Sequence, residues 1–192
     1  MTDAGSIYEF VFRAQMADQA LDVAGRSKPR LPFLDEDVAN AIPLDLLDDH
    51  FVAQARRMAT VYTAIAAFEN SVRDLVRRVM LEAHGANWWA TMVSAKSQAK
   101  AKTRQEDEEK HRFHTQRGDD PVRFIDFGDL LNVMRSNDDL FAPFWPSPEW
   151  AKGIFDAVER SRNVIMHSGL LDMEDIERVG INIRDWVRQV GA

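Results

Sequence analysis

Cysteine is missing from the chain altogether. Disulfides, thiolate metal sites and cysteine nucleophiles are therefore excluded, and the absence fits a cytoplasmic protein. The N-terminus has no basic segment followed by an apolar run, so no secretory signal is expected. No stretch approaches the roughly 20 apolar residues that span a bilayer. A Gly-rich phosphate loop and a dinucleotide motif are both lacking, which argues against a nucleotide-hydrolysing enzyme. No internal repeat and no convincing strand pattern can be found. What remains is 192 residues, 45% hydrophobic and 29% charged. That is enough for one core, or for one domain with an appendage.

The net charge of −7 argues at first against nucleic acid as a partner. Its distribution changes that reading. Residues 1–50 hold 10 Asp/Glu against 4 Lys/Arg, whereas residues 51–192 hold 21 against 20. The acidity sits in the N-terminal quarter, and the rest can carry local basic patches.

Apolar periodicity organises the chain. Residues 7–24 read as an amphipathic helix ending at Gly25, and residues 26–43, with Pro29, Pro32 and Pro43, as a loop or extended arm. Phe51, Ala55, Met58, Tyr62, Ile65, Glu69, Val72, Val76 and Val79 then alternate at four and three, predicting one helix of about nine turns that stops near Gly85. Glu69 is a carboxylate on that apolar seam, so it either faces a gap in the core or has a cationic partner such as Arg73, one turn on. Trp88-Trp89 opens a further helical segment. Residues 96–117 carry seven Lys/Arg and four acidic residues, a solvated helix or mobile arm. A turn at 118–122, a short helix at about 126–136 and a packed irregular loop at 138–148 follow. Ser147-Pro148-Glu149 starts a helix that Ser168-Gly169 ends. The last helix begins after Asp172, with Ile176, Val179, Ile183, Trp186 and Val190 as its inner face. The expected product is an all-α bundle of about five or six helices over 44–192, with an acidic N-terminal appendage over 1–43.

The chemistry-bearing residues gather at the end of the 147–167 helix. Glu159, Asn163 and His167 recur at i, i+4 and i+8, and Arg162 borders their face. His167 lies in the last turn, where the helix dipole favours a cation, and a histidine can serve as general acid or base. A neighbouring arginine can stabilise a phosphate's negative charge. Arg and His suffice for RNA cleavage without a metal. The alternative for the pair is a surface ion-binding helix end or a dimer-stabilising contact. His111 and His114, with Glu108 or Glu109 nearby, have metal-ligand residue types, but HExxH is absent and the surroundings are highly charged, so no metal is assigned. Trp88-Trp89 could stack on bases, with core anchoring the stronger reading. Lys96, Lys100, Lys102 and Arg104 are candidate RNA contacts, against a solvated face.

Arg162-Asn163-Val164-Ile165-Met166-His167 resembles the signature of the HEPN superfamily. The segments VYTAIAAFENSVRDLV, GANWW, FIDFGDLLNVM, ERSRNVIMHSG and IRDWVRQV occur in an order similar to the branch named for the HEPN domain of the Swt-one RNA endonuclease. The resemblance covers roughly residues 45–190. It implies a helical bundle that pairs two copies, with Arg and His motifs meeting across the homodimer interface in one RNase site that needs no cofactor. It also implies a place in phage defence or a toxin–antitoxin system, with a protein antitoxin or effector as partner. By position, Arg162, Asn163 and His167 match the motif, and Glu69 and Arg73 match polar positions of the long helix. Toxins of this kind that are silenced by nucleotidylation carry a tyrosine where this chain has Gly169. Two other readings stand beside the nuclease. One is a non-catalytic HEPN module that binds RNA or protein, and the other is a helical adaptor docking a partner through its acidic N-terminal segment.

Overall fold

The structure, a computed structural model, describes residues 35–111 and 113–191. The helix expected at 7–24 lies outside the described residues. The chain divides into two compact units, 1–49 and 50–192.

In the first unit the described residues form helix α1 (Asp35–Ala41) and a 3-10 turn over Leu44–Leu46. Over Asp35–Ala41 this corrects the expectation of a loop or extended arm, and residues 26–34 lie outside the described residues. The stretch DEDVANA contains neither proline nor glycine, and its opening carboxylates suit the positive end of a helix dipole.

The second unit is helical throughout its regular structure, with no strand among the described residues. Its mast is α2 (Asp49–His84), which ends where Gly85 takes a positive φ of 68° that a side chain would resist. A short α3 (Trp88–Met92) follows. Ser94 then caps α4 (Ala95–Lys110), its hydroxyl accepting from the Ser97 N–H at 3.2 Å. After a 3-10 turn at Pro121–Phe124 come α5 (Phe127–Ser136) and α6 (Asp138–Phe141). The loop expected at 138–148 thus opens with one helical turn, and Phe141 and Trp145 from it are buried. Ser147 caps α7 (Pro148–Met166) by accepting from the Trp150 N–H at 3.1 Å, and Asp172 caps α8 (Met173–Val190) at 2.8 Å to the Asp175 N–H.

The core lies where α2, α5, α7 and α8 converge. Phe127 and Phe155 stack at 4.2 Å between centroids, Trp186 approaches Phe155 at 5.1 Å, and Phe68 meets Phe127 edge-on at 5.6 Å. Such ring pairs add about 0.5–1.5 kcal/mol each beyond their buried area. The buried seam of α2 runs through Met58, Val61, Ile65, Phe68, Val72, Leu75, Val76 and Met80. It shares Met58, Ile65, Val72 and Val76 with the stripe read from sequence, but leaves Phe51 and Tyr62 exposed. Trp88 is buried against this core, so it anchors the α2–α3 turn and presents no face for stacking on a base. Among the described residues no helix is long and apolar enough to cross a membrane.

Candidate functional site

Helix α7 presents the residues that the sequence singled out. Ala151, Ile154, Phe155, Val158 and Ser161 are buried and fix its rotation. Arg162 flanks that buried side and leans over α2. Asn163 and His167 point outward and are exposed. Five residues along a helix amount to about 140° of rotation and about 7.5 Å of rise. Arg162 and His167 of one chain therefore diverge.

Arg162 is held by Glu69. Its Nε lies 3.4 Å from Glu69 Oε2, with the arginine side chain 37% exposed and the glutamate 16%. The other Glu69 oxygen accepts from Arg73, one turn along α2. Arg73 also donates to the carbonyl oxygens of Val122 and, at 3.0 Å, Ile125. One carboxylate thus bridges two guanidiniums, so the seam position of Glu69 is paired from both sides. Glu159 stands half-buried next to this group. Burial pushes its carboxyl above the ordinary glutamate range, and the negative charges of Asp126 and Asp156 push it further; Arg162 pulls it back only in part.

A second polar cluster ties α4 to the start of α5. Lys100 bonds Asp126 and, at 2.8 Å, Asp129, while Arg104 donates to Asp126 and to the Phe124 carbonyl, both at 2.7 Å. Burial raises the Asp126 carboxyl, but the hydrogen bonds from Arg104 and Lys100 outweigh it and hold the group below its usual range. Bonds to Asp126 and Asp129 raise the Lys100 ammonium. Lys100 and Arg104 are therefore committed to carboxylates within the fold. Lys96 and Lys102 remain solvent-facing, Lys102 at 3.8 Å from Glu106.

Searches against protein-family models, curated proteins and solved structures find no match for this chain.

Of the residues expected to act together, the fold joins Glu69, Arg73 and Arg162, with Glu159 close by. It does not join Asn163 to His167. Neither side chain has a hydrogen-bond partner among the described residues. His167 caps α7, its N–H reaching the Asn163 carbonyl at 3.2 Å. Among the described residues no group of three or more His, Asp or Glu is placed to hold a metal ion.

Two features escaped the sequence reading. At the end of α7 lies an apolar rim: Met166 and Leu170 are 53% and 46% exposed, and Phe51 and Tyr62 from α2 are 67% and 38% exposed. These four line one groove of about 480 Å³. The other is the acid pair Asp126 and Asp129. Asp129 accepts from the Asp126 N–H at 3.3 Å, a reciprocal cap whose spacing in FIDFGD was a legible signal. Chemically, the site offers a half-open guanidinium for negative charge and two groups, His167 and Glu159, for protons.

Proposed function

We propose that this chain is a HEPN-type, metal-independent endoribonuclease that acts in the cytoplasm as a homodimer. The observation that carries the reading is the half-open guanidinium of Arg162, fixed to α2 by Glu69, at the same end of α7 as an exposed His167 and an exposed apolar rim. An apolar surface of this kind is where a second copy docks, and a second copy would supply the missing half of a divergent Arg–His pair.

In the proposed reaction His167 removes the 2′-hydroxyl proton of RNA. The 2′ oxygen attacks the adjacent phosphorus, and the bond from phosphorus to the 5′ oxygen breaks. The products are a 2′,3′-cyclic phosphate and a 5′-hydroxyl, and the leaving oxygen takes a proton from an imidazolium. Arg162 stabilises the charge on the pentacoordinate phosphorus. No cofactor enters these steps. A role in phage defence or in a toxin–antitoxin pair, with a protein antitoxin or effector as partner, belongs to the same reading.

The test is cleavage of transfer RNA and messenger RNA in EDTA by wild type, His167→Ala and Arg162→Ala, each checked for dimerisation by light scattering. Cleavage by wild type and a loss of at least about 100-fold in each variant are expected. A dimeric wild type that binds RNA but leaves it intact would replace the nuclease with a binding module. The engagement of Arg162 by Glu69 favours that second reading.

A further inference from the structure

On the far side of the Glu69–Arg73 pair lies a cleft of about 430 Å³ between α2 and the 3-10 turn at Pro121–Phe124. Arg73, Arg77 and Arg123 line it together with Asn70, Asp74 and Asp120. Three guanidiniums face two carboxylates, and both carboxylates are already engaged. Asp120 accepts from the Val122 N–H at 3.1 Å as the cap of the turn. Asp74 meets Arg77 at 3.5 Å, a loose pair in which both side chains are more than half exposed. The Arg123 side chain is exposed and has no ion pair or hydrogen bond among the described residues. Arg73 is pinned by two carbonyls, so its charge is pre-positioned at the cleft wall. The lining holds three cations against two anions, and because Glu69 also pairs with Arg73, Arg77 and Arg123 are the exposed guanidiniums that the cleft presents. Guanidiniums with open donor forks bind phosphate oxygens in two-point fashion.

Arg73 links the cleft to the Arg162 group. Glu69 holds Arg162, and Arg73 and Arg77 follow it at one-turn intervals along α2. From Glu69 to Arg77 the rise is about 12 Å at 1.5 Å per residue. A stacked strand at about 3.4 Å per nucleotide would lay three or four nucleotides along that path.

We propose that the cleft of Arg73, Arg77 and Arg123 is a binding track for the phosphodiester backbone of single-stranded RNA, leading the strand to Arg162. The proposal rests on the nuclease reading for the direction of the strand, but the binding itself can be tested apart from cleavage. It gives α2 a role in holding substrate at a distance from the reacting phosphate. The contacts go to phosphates, so they add affinity without choosing sequence.

The experiment measures fluorescence anisotropy of a fluorescein-labelled 20-nucleotide single-stranded RNA in a His167→Ala background, over a series of KCl concentrations. Arg77→Gln with Arg123→Gln is compared with Lys152→Gln with Arg178→Gln, which removes the same charge from surface pairs elsewhere. Arg77 and Arg123 are exposed, so the fold is not at stake, and circular dichroism checks this. At 0.1 M KCl the cleft variant is expected to bind at least tenfold more weakly than the control. Its slope of log affinity against log salt should be shallower by about 1.4, for two lost phosphate contacts on a single strand. Equal affinity and slope in the two variants would overturn the track. So would a His167→Ala protein that binds no RNA at all, which would remove the nuclease reading with it. RNA held by the cleft in a wild type that does not cleave would sink the nuclease alone.

Discussion

Glu159 carries the plainest pH signature in the molecule. Burial and the nearby Asp126 and Asp156 raise its carboxyl above the ordinary glutamate range. A carboxyl with a raised folded pKa binds its proton more tightly in the folded chain. Its contribution to stability is fully present below the unfolded value of about 4.3 and is lost as the pH rises through the folded one. Glu159→Gln keeps the shape and removes that loss. The variant should melt higher than wild type at pH 7, with the difference vanishing below about pH 4. Thermal melts across pH 4–8 check this. A difference that does not depend on pH would mean that the amide acts through packing alone. Cleavage assays on the same protein separate a burden on stability from a part in proton transfer.

At the scale of elements, the end of α7 shows how a helix terminator places a site. Ser168 takes φ +61°, the left-handed conformation that closes the helix, and the Gly169 N–H returns to the Val164 carbonyl at 2.8 Å. A Cβ at Gly169 would stand 2.6 Å from Val164 Cγ1 and 2.8 Å from the Val164 oxygen. Gly169→Ala should therefore destabilise by about 1–3 kcal/mol. Ser168→Gly should stabilise by about 0.5–1 kcal/mol, because only glycine occupies that conformation without cost. Urea midpoints at constant slope test both. Two opposite shifts fix the terminator as strained at 168 and tight at 169, whereas a neutral Gly169→Ala would mean that the α7 end relaxes. The same crowding bars a tyrosine from position 169 along this chain path.

This terminator, like the caps Ser147 and Asp172, was legible in sequence because its physics is local. The mast α2 and the inner faces of α7 and α8 were legible for a related reason, since a helix must bury a continuous apolar stripe. The rotation of α2 was less so. Phe51 and Tyr62 extend the stripe in sequence, but Val61, Phe68 and Leu75 fill the core, and which flank is used depends on where α5 and α8 stand. Lys100 and Arg104 read as solvated cations because the carboxylates that hold them lie 29 and 22 residues away. The Glu69–Arg73 pair was legible at one-turn spacing, while the Glu69–Arg162 contact bridges two distant helices.

For the whole molecule, the divergence of Arg162 and His167 makes the number of chains part of the mechanism. About 140° of helical rotation separates positions 162 and 167, so the two groups of a single copy face apart. The proposed dimer removes the conflict, because a second copy docked on the rim of Met166, Leu170, Phe51 and Tyr62, at the same end of α7, would bring its motif against His167. Leu170→Glu with Met166→Glu places two charges on that rim at positions about half exposed, so the single chain should keep its fold. Light scattering should then report the 21.9 kDa chain in place of its double, and cleavage should fall with it. Complementation is the sharper arm of the same prediction. Arg162→Ala and His167→Ala subunits, each inactive alone, should recover measurable cleavage when co-expressed, because their mixed dimer keeps one arginine and one histidine. Recovery would assign the two groups to different chains of one site. Full cleavage by the monomeric rim variant would put the whole reaction inside a single chain, and Glu159, which does stand near Arg162, would then replace His167 as the group that moves the proton.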